Sequence, residues 1–284
     1  TVSTEDRIHD IVVDHTERNE PTFTWAHYMT VHAPYESDPD SGVRFAEEQP
    51  DEEAYRDLID RARRSPEALS QSERTLLSNL YDDSIRHVDR RIDDMLSAVD
   101  LEETVVCITA DHGEALFELG YFEHPPELHQ QLLHVPLVVL SPEVEPRRVT
   151  DTVGLESVPA LLGRSAGFDA PGSPLCPPWN EDSDPVCSAV AHHSRFEPET
   201  IEQAHLKLAA RDDNWKLILS NNEPQLYDIG DDPNENVDLA ASTPDVQRSL
   251  REHATAFGES FVFGESREIP DEITDQLSEL GYLE

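Results

Sequence analysis

Asp111 and His112, followed by Gly113 and Glu114, stand directly after the apolar run 104–109. A carboxylate and an imidazole placed where a buried strand ends can both turn into one cleft, which side-chain alternation forbids a residue earlier. Their donor atoms suit a divalent cation, so the tetrapeptide reads as half of a metal site. As bare residues, the pair reads also as a turn or a helix cap. The group that would attack a substrate is not among them. Other chemistry-bearing residues give weaker patterns. Cys107, Cys176 and Cys187 form neither a disulfide framework nor a zinc spacing, and Cys107 reads as a small buried hydrophobe. His124, His129 and His134 recur every five residues, a spacing that does not share one helical face. His129 therefore reads as a surface residue and His134 as a strand-entry residue. His192-His193 and the turn Asp231-Asp232-Pro233 match no metal loop and read as structural. Trp215 and Tyr227 read as packing residues.

The elements that must position these residues alternate along the chain. A helix is expected over 4–18 and a strand over 22–31, rich in Thr, Phe, Trp and Tyr. After a polar loop over 34–50 come two helices. The second carries Leu76, Leu77, Leu80, Ile85, Val88, Ile92 and Met95 at helical spacing. A strand over 104–109, a short helix near 126–133 and a strand over 136–140 complete an α/β unit, expected to form a largely parallel sheet flanked by helices. Beyond residue 163 the texture changes. Pro171, Pro174, Pro177, Pro178 and Pro185 punctuate a loop-rich stretch, and 206–210, 215–220 and 225–229 read as short strands joined by turns. The expected organisation is an α/β domain over 1–165 and a smaller α+β lobe with an antiparallel sheet over 166–284.

Composition narrows the setting. The 284 residues hold 60 acidic against 21 basic side chains, a formal charge of -39, and only Lys207 and Lys216 are lysines. Asp and Glu are dispersed through periodic segments instead of gathered in a tail, which reads as a surface adapted to very high salt, where charge is screened over a few ångströms. Nucleic-acid binding is disfavoured because phosphate contacts need clustered Lys and Arg. No apolar run is long enough to cross a bilayer. The chain opens on Thr1 and enters a helical pattern almost at once, so an upstream portion is expected to be missing, and a cytoplasmic location is the working expectation.

Four ordered blocks carry a family resemblance. Thr109-Ala110-Asp111-His112-Gly113-Glu114, then His124, then His134-Val135-Pro136-Leu137-Val138-Val139, resemble the second conserved half of sulfatases in the alkaline phosphatase superfamily. Downstream, Trp215-Lys216-Leu217-Ile218, Leu226-Tyr227-Asp228, Asp232-Pro233-Asn234-Glu235 and Leu280-Gly281-Tyr282-Leu283 are similar to the C-terminal lobe of such enzymes. Upstream, His27-Tyr28-Met29 with His32-Ala33-Pro34-Tyr35 resembles the strand and the histidine that meets the ester. The resemblance implies that Asp111 and His112 are metal ligands and that His32 and His124 are catalytic residues binding the sulfate or its leaving oxygen. It further implies that Gly113 lets the backbone turn beneath the ion and that Glu114 orients an imidazole from behind. Calcium is the implied ion, with manganese or zinc as alternatives because an imidazole is a softer ligand.

The departures are as informative as the matches. The family's nucleophile, a cysteine converted to formylglycine or a serine in a C-x-P-x-R motif with an early aspartate pair, is not found in these residues. Cys176-Pro177-Pro178-Trp179-Asn180 imitates its start but lacks the arginine and follows the metal pair, so Cys176 reads as a loop residue. Phe117, Leu119 and Glu123 also replace residues usual in relatives, which points to an altered loop. The expected function is that of a sulfate ester hydrolase present without its nucleophile. The alternatives are a phosphodiesterase, phosphonate hydrolase or phosphoethanolamine transferase of the same superfamily, or a non-catalytic acidic binding module.

Overall fold

Local signals account for the helices of the first half. The computed structural model describes residues 4–16, 20–35, 44–47, 49–142, 145–167, 185–192, 205–221 and 223–260. In it α1 (Thr4–Thr16), α2 (Glu52–Arg64) and α3 (Gln71–Ala98) form where periodicity placed them. Asp51 caps α2 by accepting from the Ala54 amide, with Glu52 and Glu53 in the first turn and arginines in the last, as the helix dipole favours. Ser70 and Glu73 close a reciprocal capping box on α3. Leu58, Ile59 and Ala62 of α2 and Leu77 and Leu80 of α3 bury their apolar faces against Ala33, Tyr35, Ala46 and Phe122. This core lies under the segments that carry the candidate site. Asp83, buried on α3, accepts from the amides of Phe45 and Ala46 and fastens the chain entering α2.

The strand expectations fare unevenly. β1 (Val106–Thr109) leads to the short hairpin β2 (Ala115–Leu116) and β3 (Phe122–Glu123), the single-turn α4 (Gln130–Leu133) and β4 (Leu137–Leu140). A largely parallel sheet is expected of this unit, and within it the described pair β1 and β4 runs antiparallel, with Thr109 opposite Leu137. A parallel pair needs a crossover helix along one face. The segment between these strands holds only the hairpin and one helical turn, and it doubles back. The expected strand over 22–31 is another correction. Residues 21–29 form no strand, and Phe23 and Trp25 are 78% and 79% exposed. Aromatic and β-branched side chains favour a strand only against a neighbour, and no strand among the described residues lies beside this one.

After α5 (Val158–Ser165), β5 (Val186–His192), β6 (His205–Arg211), β7 (Trp215–Ser220) and β8 (Glu223–Asp228) form a four-stranded antiparallel sheet in that order. β5 was not among the expected strands. One face of the sheet, with Ala210, Leu217, Leu219 and Leu226, packs on Leu250 and Ala254 of α6 (Pro244–Glu259). The other face, with Ala209, Ile218 and Tyr227, packs on Leu128 and Leu133 beside α4. The sheet thus shares a core with the loop that follows Asp111. The Asp231-Asp232-Pro233 turn is structural, since the Asp232 carboxylate accepts from the amides of Asn236 and Val237. Cys176, His193 and the 280–283 block lie outside the described residues. No helix among the described residues is long and apolar enough to cross a membrane.

Candidate functional site

Three histidines from distant parts of the chain meet in one cluster. His32 sits in a turn closed by its amide and the Met29 carbonyl, His112 at the end of β1, and His124 just after β3. The rings of His112 and His124 lie 4.4 Å apart between centroids, and those of His32 and His124 5.4 Å. Each ring is held at the same atom. His32 Nδ1 lies 2.7 Å from the Ala33 carbonyl, His112 Nδ1 3.0 Å from the Gly113 carbonyl, and His124 Nδ1 2.7 Å from Glu114 Oε1. A carbonyl oxygen only accepts, so Nδ1 carries the hydrogen in His32 and His112, and their Nε2 atoms are left as the groups that can meet a ligand.

Glu114 is the pivot of the cluster. Its side chain is only 7% exposed, with Oε1 on His124 and Oε2 accepting from the Tyr35 hydroxyl at 3.5 Å. The hydrogen bond that His124 donates to Glu114 raises the histidine's pKa, and burial opposes it only in part. His124 is thereby biased toward the imidazolium, a cation that can face an anion. Burial, reinforced by the Glu114 charge, pushes the Tyr35 hydroxyl upward, so it stays a neutral donor. The Tyr35 amide in turn donates to the Tyr55 hydroxyl at 2.7 Å, and burial pushes that phenol up to about 12.

Asp111 lies on the open side. Its side chain is 56% exposed, its Oδ1 accepts from the His112 amide, and its Oδ2 stands 3.9 Å from His112 Nε2. Two ligands of one ion with bonds of about 2.0–2.5 Å can be that far apart. His112, Glu114 and His124 also bring one donor atom each within 4.8 Å of one another. In that trio Glu114 and His124 already bond each other, whereas the facing atoms of Asp111 and His112 do not form a hydrogen bond at 3.9 Å. The donor chemistry of the Asp111–His112 pair fits a divalent cation.

The loop around the cluster is built with unusual backbone. Phe117, Leu119 and Glu123, read from the sequence as an altered loop, all adopt left-handed conformations at φ 79, 54 and 59, which cost about 1 kcal/mol or more each outside glycine. Packing holds them. Arg63 donates twice to Glu123, at 2.6 and 3.0 Å, the Phe117 and Phe122 rings stack 5.1 Å apart, and the Arg74 guanidinium lies over Phe117. Gly113 serves differently from the expected sharp turn. Its φ is not positive, but a Cβ there would strike the Gln131 carbonyl oxygen, and its amide donates to the Leu132 carbonyl at 2.8 Å. Glycine is required so that α4 can lie against the site.

The structure thus brings together His32, His112, Glu114 and His124, with Asp111 at the rim. Sequence reasoning gave Tyr35 no role, although it closes the quoted His32-Ala33-Pro34-Tyr35 block. It also misread His129, which is buried between the rings of Tyr121 and Tyr227, 3.3 Å from Glu235. His129 begins a short turn packed on the sheet, a location that helical spacing cannot report.

The protein-family model described as Sulfatase matches residues 3–159, more than half of the chain. The chain belongs to the sulfatase family. This sulfatase-family chain is 27% identical over 165 residues to arylsulfatase K of Bos taurus, an alignment covering 53% of the chain and 30% of that protein. A solved 2-O GAG sulfatase superposes with a TM-score of 0.52 at 18% identity, over 99% of the chain and 60% of that structure. Phosphonate monoester hydrolase of Agrobacterium radiobacter gives a TM-score of 0.52 at 17% identity, over 68% and 43% respectively. The chain therefore spans about a third of the curated relatives' length, and the structural likeness establishes a sulfatase-like α/β fold.

Proposed function

We propose that this chain carries the metal-binding and anion-gripping part of a sulfate ester hydrolase. The observation that carries the reading is the shared Nδ1 anchoring of His32, His112 and His124, which sets three imidazoles around one point with a carboxylate on either side. Asp111 and His112 would hold the divalent ion, with calcium as first choice and manganese or zinc as alternatives. The ion supplies Lewis-acid polarisation of the ester oxygens. His124, biased toward the cation by Glu114, would face the sulfate and hand a proton to the leaving oxygen. His32 would meet the same anion by donating from Nε2, which requires its ring to carry both protons. Glu114 and Tyr35 hold His124 in place. The boundary near residue 165 belongs to this reading, with the α/β part supplying the ligands and the smaller lobe supporting them.

A second reading, hydrolysis of a phosphonate or phosphate ester, is favoured by the likeness to phosphonate monoester hydrolase. The two are separated by binding. In molar KCl, Mn2+ followed by calorimetry should bind the chain, and Asp111→Ala should abolish that binding. With Mn2+ present, sulfate should bind and His124→Ala should weaken it about tenfold. Phenylphosphonate displacing sulfate at a far lower concentration would favour the second reading, and Mn2+ affinity untouched by Asp111→Ala would sink both. The chain by itself should not turn over 4-nitrophenyl sulfate, because a ligand pair without a nucleophile gives no covalent step.

A further inference from the structure

The chain's only two lysines, Lys207 and Lys216, do the same thing. They stand on the adjacent strands β6 and β7, and alternation puts both on the face of Ala209 and Ile218, which covers Leu128 and Leu133. Lys207 pairs with Glu127, whose carboxylate also accepts from the Tyr121 hydroxyl. Lys216 is fully buried and donates to Glu235 at 2.7 Å. The other oxygen of Glu235 accepts from the Gln130 amide at 2.6 Å and lies 3.3 Å from His129 Nδ1. Glu235 is buried and holds a left-handed φ of 56, so its place is imposed by these partners. From Gln130 the connection is short. It opens α4, whose Leu132 carbonyl accepts from the Gly113 amide, between His112 and Glu114.

We infer that Glu235 and Glu127, each gripped by a lysine, are positioning residues that carry the geometry of the C-terminal sheet through α4 to Gly113 and the histidine cluster. This rests on the proposed role of Asp111 and His112 only for its functional meaning. Neither glutamate touches a reacting group. In a chain where almost every other cation is an arginine, the long single-headed lysine stem is kept at the two carboxylates, Glu127 and Glu235, that lie where the sheet meets this loop.

Native-state hydrogen exchange on the intact chain in molar KCl tests the relay directly. The amides of Gln130 and Gly113 should open together across a denaturant series, while those of Leu217 and Leu226 stay protected to higher denaturant. Gly113 opening independently of Gln130 overturns the inference. In Glu235→Gln, Mn2+ affinity should fall about tenfold with the sheet amides still protected; unchanged affinity in that folded variant overturns it. If that variant does not fold, Lys207→Met, at a less buried pair, should lower Mn2+ affinity two- to threefold and no loss counts against the relay. Should Mn2+ not bind the unaltered chain, the metal reading fails while the exchange comparison still decides the relay.

Discussion

The two sides of the histidine cluster are built to different degrees. Around Glu114 the chain closes completely, with His124, Tyr35 and the Arg63–Glu123 pair in one packed wall. Around Asp111 the packing is looser, and its side chain is half exposed beside His112. The groups proposed to meet the anion are thus packed into protein, whereas the proposed cation ligands lie nearer the surface. Stability and ligand binding should accordingly respond to opposite sides of the same site.

The largest expected effect is common to both sides. With a formal charge of -39, dialysis from molar KCl into dilute buffer should unfold the chain, and the loss should be read by far-ultraviolet circular dichroism. An unchanged spectrum would remove the case for high-salt adaptation. Next, Glu114→Ala should destabilise by about 1–3 kcal/mol in a thermal melt, because it leaves a partly buried imidazolium and a phenol without their acceptor. Asp111→Asn, at an exposed side chain, should change stability by less than about 0.5 kcal/mol while costing most of the Mn2+ affinity. If the two substitutions behave alike in both measurements, the contrast between wall and rim is wrong.

The pH dependence sharpens the contrast further. Burial alone would raise the Glu235 pKa, but the nearby His129 ring, the charge of Lys216 and its hydrogen bond, and the Gln130 amide outweigh it and hold it below its ordinary 4.5. A carboxyl depressed on folding stabilises the protein above its unfolded pKa and loses that contribution as pH falls through the folded value. Acid titration below about pH 4.5 should therefore loosen α4 and the wall beside it, with Glu235→Gln flattening that part of the curve. Lys216 acts in the opposite sense and in another range. Burial lowers it to about 8 against an opposing pull from Glu235, so between about 8 and its ordinary 10.5 the unfolded chain binds the proton more tightly. This group alone should make stability rise with pH across that range, visible as a difference from Lys216→Met.

Much of the wall was legible before any coordinates. Asp111, His112 and Glu114 announce themselves because a strand end presents consecutive residues to one cleft, and His32 and His124 follow from ordered blocks. The helices were legible from periodicity and caps, since those signals are local. What stayed hidden depends on partners. The stretch 22–31 has the composition of a strand but finds no neighbour among the described residues, and the antiparallel pairing of β1 with β4 could not be read from a segment that lacks a crossover helix. His129 and Glu235 were invisible because their burial arises where the sheet meets α4. One signal was available, however: two lysines among 284 residues, at positions whose strand parity places them on a single face.

The grip on Nδ1 has a consequence for substitution at positions 32, 112 and 124. Asparagine carries its amide nitrogen where a histidine has Nδ1, and glutamine carries it near Nε2. The first would keep the tether and lose the reach, and the second would keep the reach and lose the tether. No other natural side chain spans both, so each of these positions demands a ring with two opposed nitrogens.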